Sequence, residues 1–375
     1  MNHQPPPSHS SPNPDTQGNW AREHSKALNT FEQIDSLGNT GLSGLNSETK
    51  NEILNSLEIK VPKHFIDSEI INDNAIALQV IPSSKEIDVH PNELTDPCGD
   101  EIHESAPNVT HRYPDRALLK VTYQCAMYCR FCFRKYKVSH ESSEKIWSQL
   151  DKSMSYIREH PEISEVILTG GDPLVLTTSK LSRVLTPLES IDSVHVVRIH
   201  TRVPIALPSR INTELLELLK SFSKPIWIVI HVNSHKEFTT DALKALSLLS
   251  QAGIPLLCQS VLLKGINDSE ESLKSLLLSC IKNKIKPYYL HYPDLAKGTN
   301  HFRVSLAKAL DLYKSLRGKI PGYAIPQLTV DIPGGKGKIP IDSHWVKELT
   351  NGTYEYTSPI DSSVYRFQDN MVSKS

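Results

Sequence analysis

Long hydrophobic runs are missing from this 375-residue chain. The most apolar stretch, Pro225-Ile-Trp-Ile-Val-Ile230, falls far short of the ~20 residues that a membrane span needs, so no membrane helix is expected. A surplus of one charge is missing too, with 41 Lys and Arg against 42 Asp and Glu. A nucleic-acid binder normally carries a basic excess, and no such partner is expected here. The start, Met1-Asn-His-Gln-Pro-Pro-Pro-Ser-His, has neither the basic opening nor the apolar stretch of an export signal. Cysteine is scarce, at 98, 125, 129, 132, 258 and 280, and three of the six fall between 125 and 132. That is a ligand cluster and not the spread framework of a small disulfide-bonded chain, so a cytoplasmic location is expected. Core-forming residues are not scarce: 38% of the chain is hydrophobic.

Residues 1–22 read as a disordered tail, because Pro, Ser, Asn and Gln dominate without an apolar period. Residues 23–106 read as a helical region in short pieces. Ser47-Glu-Thr-Lys-Asn-Glu-Ile-Leu has a capping serine and early acids, and Pro62 breaks the helical pattern. From 107 to 325 short apolar runs alternate with amphipathic segments. Strands are expected near 117–122, 165–169, 194–200, 226–232, 255–263 and 287–291. Helices are expected near 142–159, 178–189, 211–222, 239–252, 268–283 and 303–317. Continuous hydrophobicity in the strands implies burial on both faces, as in a parallel sheet covered by helices. Six strand–helix units give an α/β fold whose chemistry sits at the C-terminal ends of the strands. Residues 326–375 break this rhythm and are not expected to supply a seventh unit. They hold a glycine loop, Asp331-Ile-Pro-Gly-Gly-Lys-Gly-Lys338, and then a hairpin pattern around 353–367.

The strongest chemical signal is Cys125-Ala-Met-Tyr-Cys129-Arg-Phe-Cys132, directly after the first strand of the repeat. Three thiolates on one loop can hold three irons of a [4Fe–4S] cluster and leave the fourth iron open. A zinc site would want a fourth Cys or His at suitable spacing, and a thioredoxin-type pair would explain only two of the three. The run is the signature of radical S-adenosylmethionine (SAM) enzymes. Thr169-Gly170-Gly171-Asp172-Pro173 closes the second strand, where glycines let backbone approach a ligand. The loop ending in Lys336 and Lys338 is not a phosphate loop, since Ile339 stands where Ser or Thr would be required. His231 and His235 lie four apart but at a strand end, so metal binding by that pair is not expected. Cys258 and Cys280 read as buried packing, and Cys98 has no readable role.

Several blocks taken together resemble the lysine 2,3-aminomutase family of radical SAM enzymes. They are His111-Arg-Tyr-Pro-Asp-Arg116, the cysteine run with Arg134, Gly170-Gly-Asp-Pro173, Gln259-Ser-Val-Leu-Leu-Lys-Gly-Ile-Asn-Asp268, Lys286-Pro-Tyr-Tyr289 and the glycine loop. The resemblance implies a partial (βα)6 barrel of the radical SAM type, with an N-terminal helical extension and a short C-terminal segment. It also implies an isomerase that moves the α-amino group of free L-lysine to the β-carbon, giving L-β-lysine. Cys125, Cys129 and Cys132 would hold the cluster, and Gly170, Gly171, Asp172, His200, Arg202 and Gln259 would contact SAM. Lys338 occupies the position of the lysine that carries pyridoxal phosphate (PLP), with Lys336 where the family often has glycine. Arg112, Tyr113, Arg116, His231, Tyr288 and Tyr289 would grip the PLP ring and phosphate, as arginine forks and tyrosine rings are suited to do.

For substrate, the resemblance assigns Arg134 to the α-carboxylate and Asp294 with Asp331 to the side-chain ammonium. Two carboxylates offset the burial of one cation better than a single one does. A lysine of elongation factor P and free arginine are the alternative substrates. The implied partners are a small amino acid and a reducing electron donor of flavodoxin or ferredoxin type; a homo-oligomer is compatible with the family. A structural zinc is not expected, because no cysteine follows Cys280.

Overall fold

The computed structural model describes residues 14–38, 40, 42, 44–342, 346–350, 353–357 and 363–368. Ten strands form one sheet in chain order: β1 (Glu104–Ala106), β2 (Val109–Tyr113), β3 (Arg116–Thr122), β4 (Glu165–Gly170), β5 (Val196–Thr201), β6 (Ile226–His231), β7 (Leu256–Val261), β8 (Ile285–His291), β9 (Gln327–Asp331) and β10 (Lys338–Pro340). Each pair from β3 to β9 is parallel. β1, β2 and β10 add antiparallel margins. The sheet stays open, with β1 and β10 at its edges. This is the α/β, partial-barrel arrangement expected from the sequence.

The central parallel strands are largely buried, as in Val166-Ile-Leu-Thr-Gly170 of β4 and Ile228-Val-Ile230 of β6. Backbone hydrogen bonds can be met only within the sheet at such positions, so helices must cover its faces. The crossover helices that follow β4 to β8 each start on a side-chain oxygen that caps free N–H groups. Thr177 caps Thr178–Glu189, Asn212 caps Thr213–Ser221, Thr239 caps Thr240–Gln251, Ser269 caps Glu270–Lys282 and Ser305 caps Leu306–Ser315. The apolar faces of the first four, including Leu181, Leu215, Leu246 and Leu276, pack into the main core.

Among the described residues the segment after 326 supplies no seventh strand–helix unit, but it does add a seventh parallel strand that was not foreseen: β9 pairs with β8. It turns back as β10, with Lys338 opposite Asp331. The disordered tail expected over residues 1–22 is corrected at 14–22. Residues 14–22 belong to the helix Pro14–Ser25, whose Trp20 is buried against Arg210. Residues 1–13 of that tail lie outside the described residues. The C-terminal hairpin is present as β12 (Thr353–Thr357) against β13 (Val364–Gln368), with β11 (Val346–Thr350) beside β12. Among the described residues no helix is long and apolar enough to cross a membrane.

Candidate active site

At the C-terminal ends of the parallel strands lies a cavity of about 420 Å³. Every candidate residue named from the sequence lines it, from Cys125, Cys129 and Cys132 to Arg134, Asp294, Asp331 and Lys338. Lys336 does not; its side chain is exposed on the glycine loop.

The cysteine loop leaves β3 and is held from outside the sheet. The Tyr128 N–H donates to the Lys60 carbonyl (3.1 Å) and the Arg130 N–H to the Gln79 carbonyl (2.9 Å). Burial pushes the Cys132 thiol up to about 11, and Cys129 beside it adds to the rise. Burial likewise raises Cys125, with Asp172 and the two other cysteines contributing. Thiolates here are costly without a cation, and a positively charged iron cluster is such a cation.

Beside this loop, β4 ends in Gly170 and Gly171. A Cβ on Gly170 would come 2.4 Å from the Thr122 carbonyl oxygen, and one on Gly171 would come 2.3 Å from that of Gln124. Only glycine lets this turn lie against the chain that leads into the cysteine loop. Asp172, expected to contact SAM, is engaged internally. Its carboxylate accepts from the Thr201 hydroxyl (2.7 Å) and from the N–H groups of Arg202 (2.7 Å) and Leu174 (3.0 Å). It therefore fixes the end of β5, where His200 and Arg202 stand. Gln259 of β7 meets His231 of β6 and lies 3.4 Å from His200 Nδ1. His231, expected beside PLP, thus stands with His200 and Gln259. Burial, aided by Arg202 and Arg134, lowers its pKa to about 3, so it is neutral. Four buried atoms of cavity residues have no hydrogen-bond partner among the described residues: Arg202 Nε, His200 Nε2, Arg198 Nε and Thr329 Oγ1, the first two on the Cys129 side. Those two fit a polar ligand next to the cysteines.

The other end is built on the β9–β10 turn. Gly334, Gly335 and Gly337 all have positive φ, and the Ile332 N–H donates to the Gly337 carbonyl (2.8 Å). The Lys338 ammonium meets Asp331 and lies 3.2 Å from His291 Nδ1 and 5.5 Å from the Tyr289 ring centre. The Tyr113 hydroxyl accepts from the Lys338 backbone N–H (2.8 Å). Arg116 stacks on Tyr113 at 4.1 Å, and Tyr288 and Tyr289 have ring centres 3.8 Å apart. Arg112 donates to Asp331 (3.1 Å) and to the Cys98 carbonyl (3.1 Å). A lysine flanked by arginines and tyrosine rings suits an aldehyde cofactor bearing a phosphate.

Between these ends Arg134 donates through Nε to Asp100 (2.5 Å) and through Nη1 to Thr169 (3.1 Å). Burial raises the Asp294 carboxyl to about 7, Asp331 adds to the rise, and Lys338 opposes it. Asp100, Cys98, Thr169 and His291 were not among the candidates from the sequence, yet all four line the cavity. Cys98, Asp294 and Asp331 bring their ligand atoms within 4.8 Å of one another. For Cys98 and Asp100 the available signal was Asp96-Pro-Cys-Gly-Asp100, a turn pattern that does not say what it faces, and Thr169 stood only as the first residue of the glycine motif.

Comparison with known proteins agrees with this geometry. Residues 119–277 match the model of the radical SAM superfamily. The chain is 38% identical over 334 residues to the L-lysine 2,3-aminomutase of Methanococcus maripaludis, covering 88% of this chain and 77% of that protein. It is 36% identical over 297 residues to the L-lysine 2,3-aminomutase of Clostridium subterminale, covering 79% and 71%. A glutamate 2,3-aminomutase of Clostridioides difficile is 39% identical over 276 residues, covering 74% and 65%. With three cysteines, a glycine cradle and a lysine hairpin around one cavity, the chain belongs to the lysine 2,3-aminomutase family of radical SAM enzymes.

Proposed function

We propose that the protein is an L-lysine 2,3-aminomutase, acting on the free amino acid with PLP as its second cofactor. The observation that carries this reading is the pair Asp294 and Asp331 at the end of the cavity that holds Lys338. A carboxyl raised to about 7 by burial and by a second carboxylate regains its charge when a cation arrives between them. The lysine ammonium is that cation. A glutamate side chain would meet two acids there and is disfavoured.

Cys125, Cys129 and Cys132 would hold the cluster, with SAM along Gly170, Gly171, His200 and Gln259, and PLP on Lys338 among Arg112, Tyr113, Arg116 and Tyr289. When bound, these groups supply a radical initiator and a covalent handle for the amine. The chain's own residues supply position. Asp100 and Thr169 occupy Nε and one Nη1 hydrogen of Arg134, leaving its Nη2 side for the substrate α-carboxylate. The ammonium of Lys338 balances Asp331 in the free protein. Lys338 would hold PLP, and Arg112 braces the Asp331 carboxylate that would face the substrate ammonium. Arg134 and the two aspartates then grip an amino acid at both ends, and such fixed geometry is what a reaction vulnerable to stray hydrogen donors requires. A low-potential protein reductant of flavodoxin or ferredoxin type would deliver the electron.

The deciding experiment is anaerobic reconstitution with iron, sulfide, SAM and PLP, followed by incubation with lysine, arginine, glutamate or elongation factor P. Conversion of free lysine to β-lysine well above the other three is expected. Turnover of glutamate alone, or of the factor's lysine alone, would overturn the reading.

A further inference from the structure

We propose that Arg202 sets the electron affinity of the iron–sulfur cluster through a hydrogen bond to the Cys129 sulfur. Arg202 Nη1 donates to Cys129 Sγ at 3.0 Å. The inference rests on the cluster that the family implies, and not on the identity of the amino-acid substrate.

Arg202 is clamped, backbone and guanidinium together, by groups from three separate parts of the chain. Its backbone N–H is fixed on Asp172 at the end of β5. Nη2 donates to Gln79 Oε1 (2.9 Å), from the helix Asn74–Val80, and to Glu237 Oε2 (2.5 Å), from the turn after β6. Gln79 and Glu237 are wholly buried, and Arg202 is 7% exposed. Glu237 is itself fixed by the N–H groups of Asn233 and Ser234, both at 2.9 Å. The Gln79 carbonyl accepts from the N–H of Arg130, the residue after Cys129. One network therefore holds both the donor and the loop that bears its sulfur acceptor. Removing water raises the strength of each of these charged contacts.

A cluster's ligating sulfurs become more electron-rich when it is reduced. A cationic donor aimed at one of them favours the reduced state, and hydrogen bonds to the sulfurs are a recognised control of cluster potential. Glu237 works in the opposite direction, because its carboxylate partly cancels the charge that Cys129 feels. The pair thus predicts shifts of opposite sign. Arg202→Gln removes the cation and should move the midpoint potential to a more negative value. Glu237→Gln removes the counter-charge and should move it to a more positive value.

The test is EPR-monitored redox titration of the reconstituted cluster in the absence of SAM and amino acid, at matched iron and sulfide content. An arginine that served only SAM would leave this midpoint unchanged, and so would a purely structural one that still held its iron. Equal midpoints in wild type and both variants, or shifts of the same sign, overturn the proposal. Should Arg202→Gln fail to retain iron, Arg202→Lys keeps the charge but loses the fork. Its midpoint should then lie below that of wild type, and an unchanged value overturns the proposal equally. Failure of the lysine assignment would leave all of these midpoints as they are.

Discussion

Asp294 is a residue whose ordinary chemistry has been changed by its surroundings. Burial comes first and Asp331 second in raising its carboxyl to about 7. Above that pH the free enzyme presents an anion to the substrate ammonium, and below it a neutral acid. The pH profile of kcat/KM for lysine should therefore show an acid limb near 7, and Asp294→Asn should lose that limb. A limb that persists in the variant assigns it to another group. Removing one carboxylate leaves a cation facing a single partner, which typically costs ~2–5 kcal/mol, or roughly 30- to several-thousand-fold in affinity. Asp331→Asn should raise KM for lysine by such a factor while iron content stays constant. The two lysines of the glycine loop separate as sharply. Borohydride reduction of the PLP-loaded enzyme should fix the cofactor on Lys338, which meets Asp331 and His291, and not on exposed Lys336. Peptide mapping that finds the label on Lys336 would reverse that choice. Of the site residues, only the cysteine cluster was legible from local spacing, as three thiols on one loop; Lys338, Asp294 and Asp331 are unremarkable by spacing and were singled out only through the resemblance to the family. Asp100 and Cys98 were not, since their meaning comes from partners such as Arg134 and Asp294 that lie far along the chain.

The element that joins these distant parts is the loop from Asp96 to His103. The Pro97 carbonyl accepts from the Gly334 N–H (3.0 Å), and His103 Nε2 lies 3.0 Å from the Gly335 carbonyl. One short loop therefore carries Asp100 to Arg134 and rests on the turn that presents Lys338. It can do so only because two glycines face each other. A Cβ on Gly99 would come 2.7 Å from Gly335 Cα, and Gly99 also sits at φ +68. Backbone cannot yield as a side-chain tip can, and the left-handed conformation alone costs ~1–2 kcal/mol with a Cβ present. Gly99→Ala should push the two loops apart, lowering PLP retention and raising KM for lysine while the cluster's iron content is unchanged. Wild-type PLP content and KM would show that the contact is dispensable. At this scale the six strand–helix units were readable from their hydrophobic rhythm. The seventh strand was not, because Gln327-Leu-Thr-Val-Asp331 is short and only Leu328 and Thr329 are buried. The helix Pro14–Ser25 was hidden for a related reason: its sequence is polar, and the burial of Trp20 against the rest of the molecule is a tertiary matter.

For the molecule as a whole, the N-terminal helices and the sheet are fastened by a charge cluster that no sequence pattern announced. Glu86 is fully buried and takes Arg130 in a two-pronged contact, Nε to Oε1 at 2.9 Å and Nη2 to Oε2 at 2.6 Å. Lys135 approaches the same carboxylate at 3.3 Å, also without exposure. Arg130 further donates to the Glu58 carbonyl (2.8 Å), so residues from 58 to 86 are tied to both sides of Cys132. The cluster loop is thus located by the N-terminal layer, which explains why these helices accompany the sheet. Removing the single anion leaves two buried cations with none between them, and breaking such a buried pair typically costs about 3–5 kcal/mol. Glu86→Gln should accordingly lower the midpoint of thermal unfolding and reduce the iron retained on reconstitution. The pH dependence has a definite sign. Burial alone would raise the Glu86 pKa, but Arg130 and then Lys135 outweigh it and hold the folded value below the ordinary 4.5. A carboxyl depressed on folding stabilises the native state above its unfolded pKa, and the benefit is lost as pH falls through the folded value. The stability gap between wild type and Glu86→Gln should therefore be full at neutral pH and shrink only below about pH 4.5, the unfolded value of a glutamate. Denaturant unfolding of both proteins at pH 7, 5 and 3.5 reads this directly. A gap of the same size at all three values would mean that packing, and not the buried charge, is what Glu86 contributes.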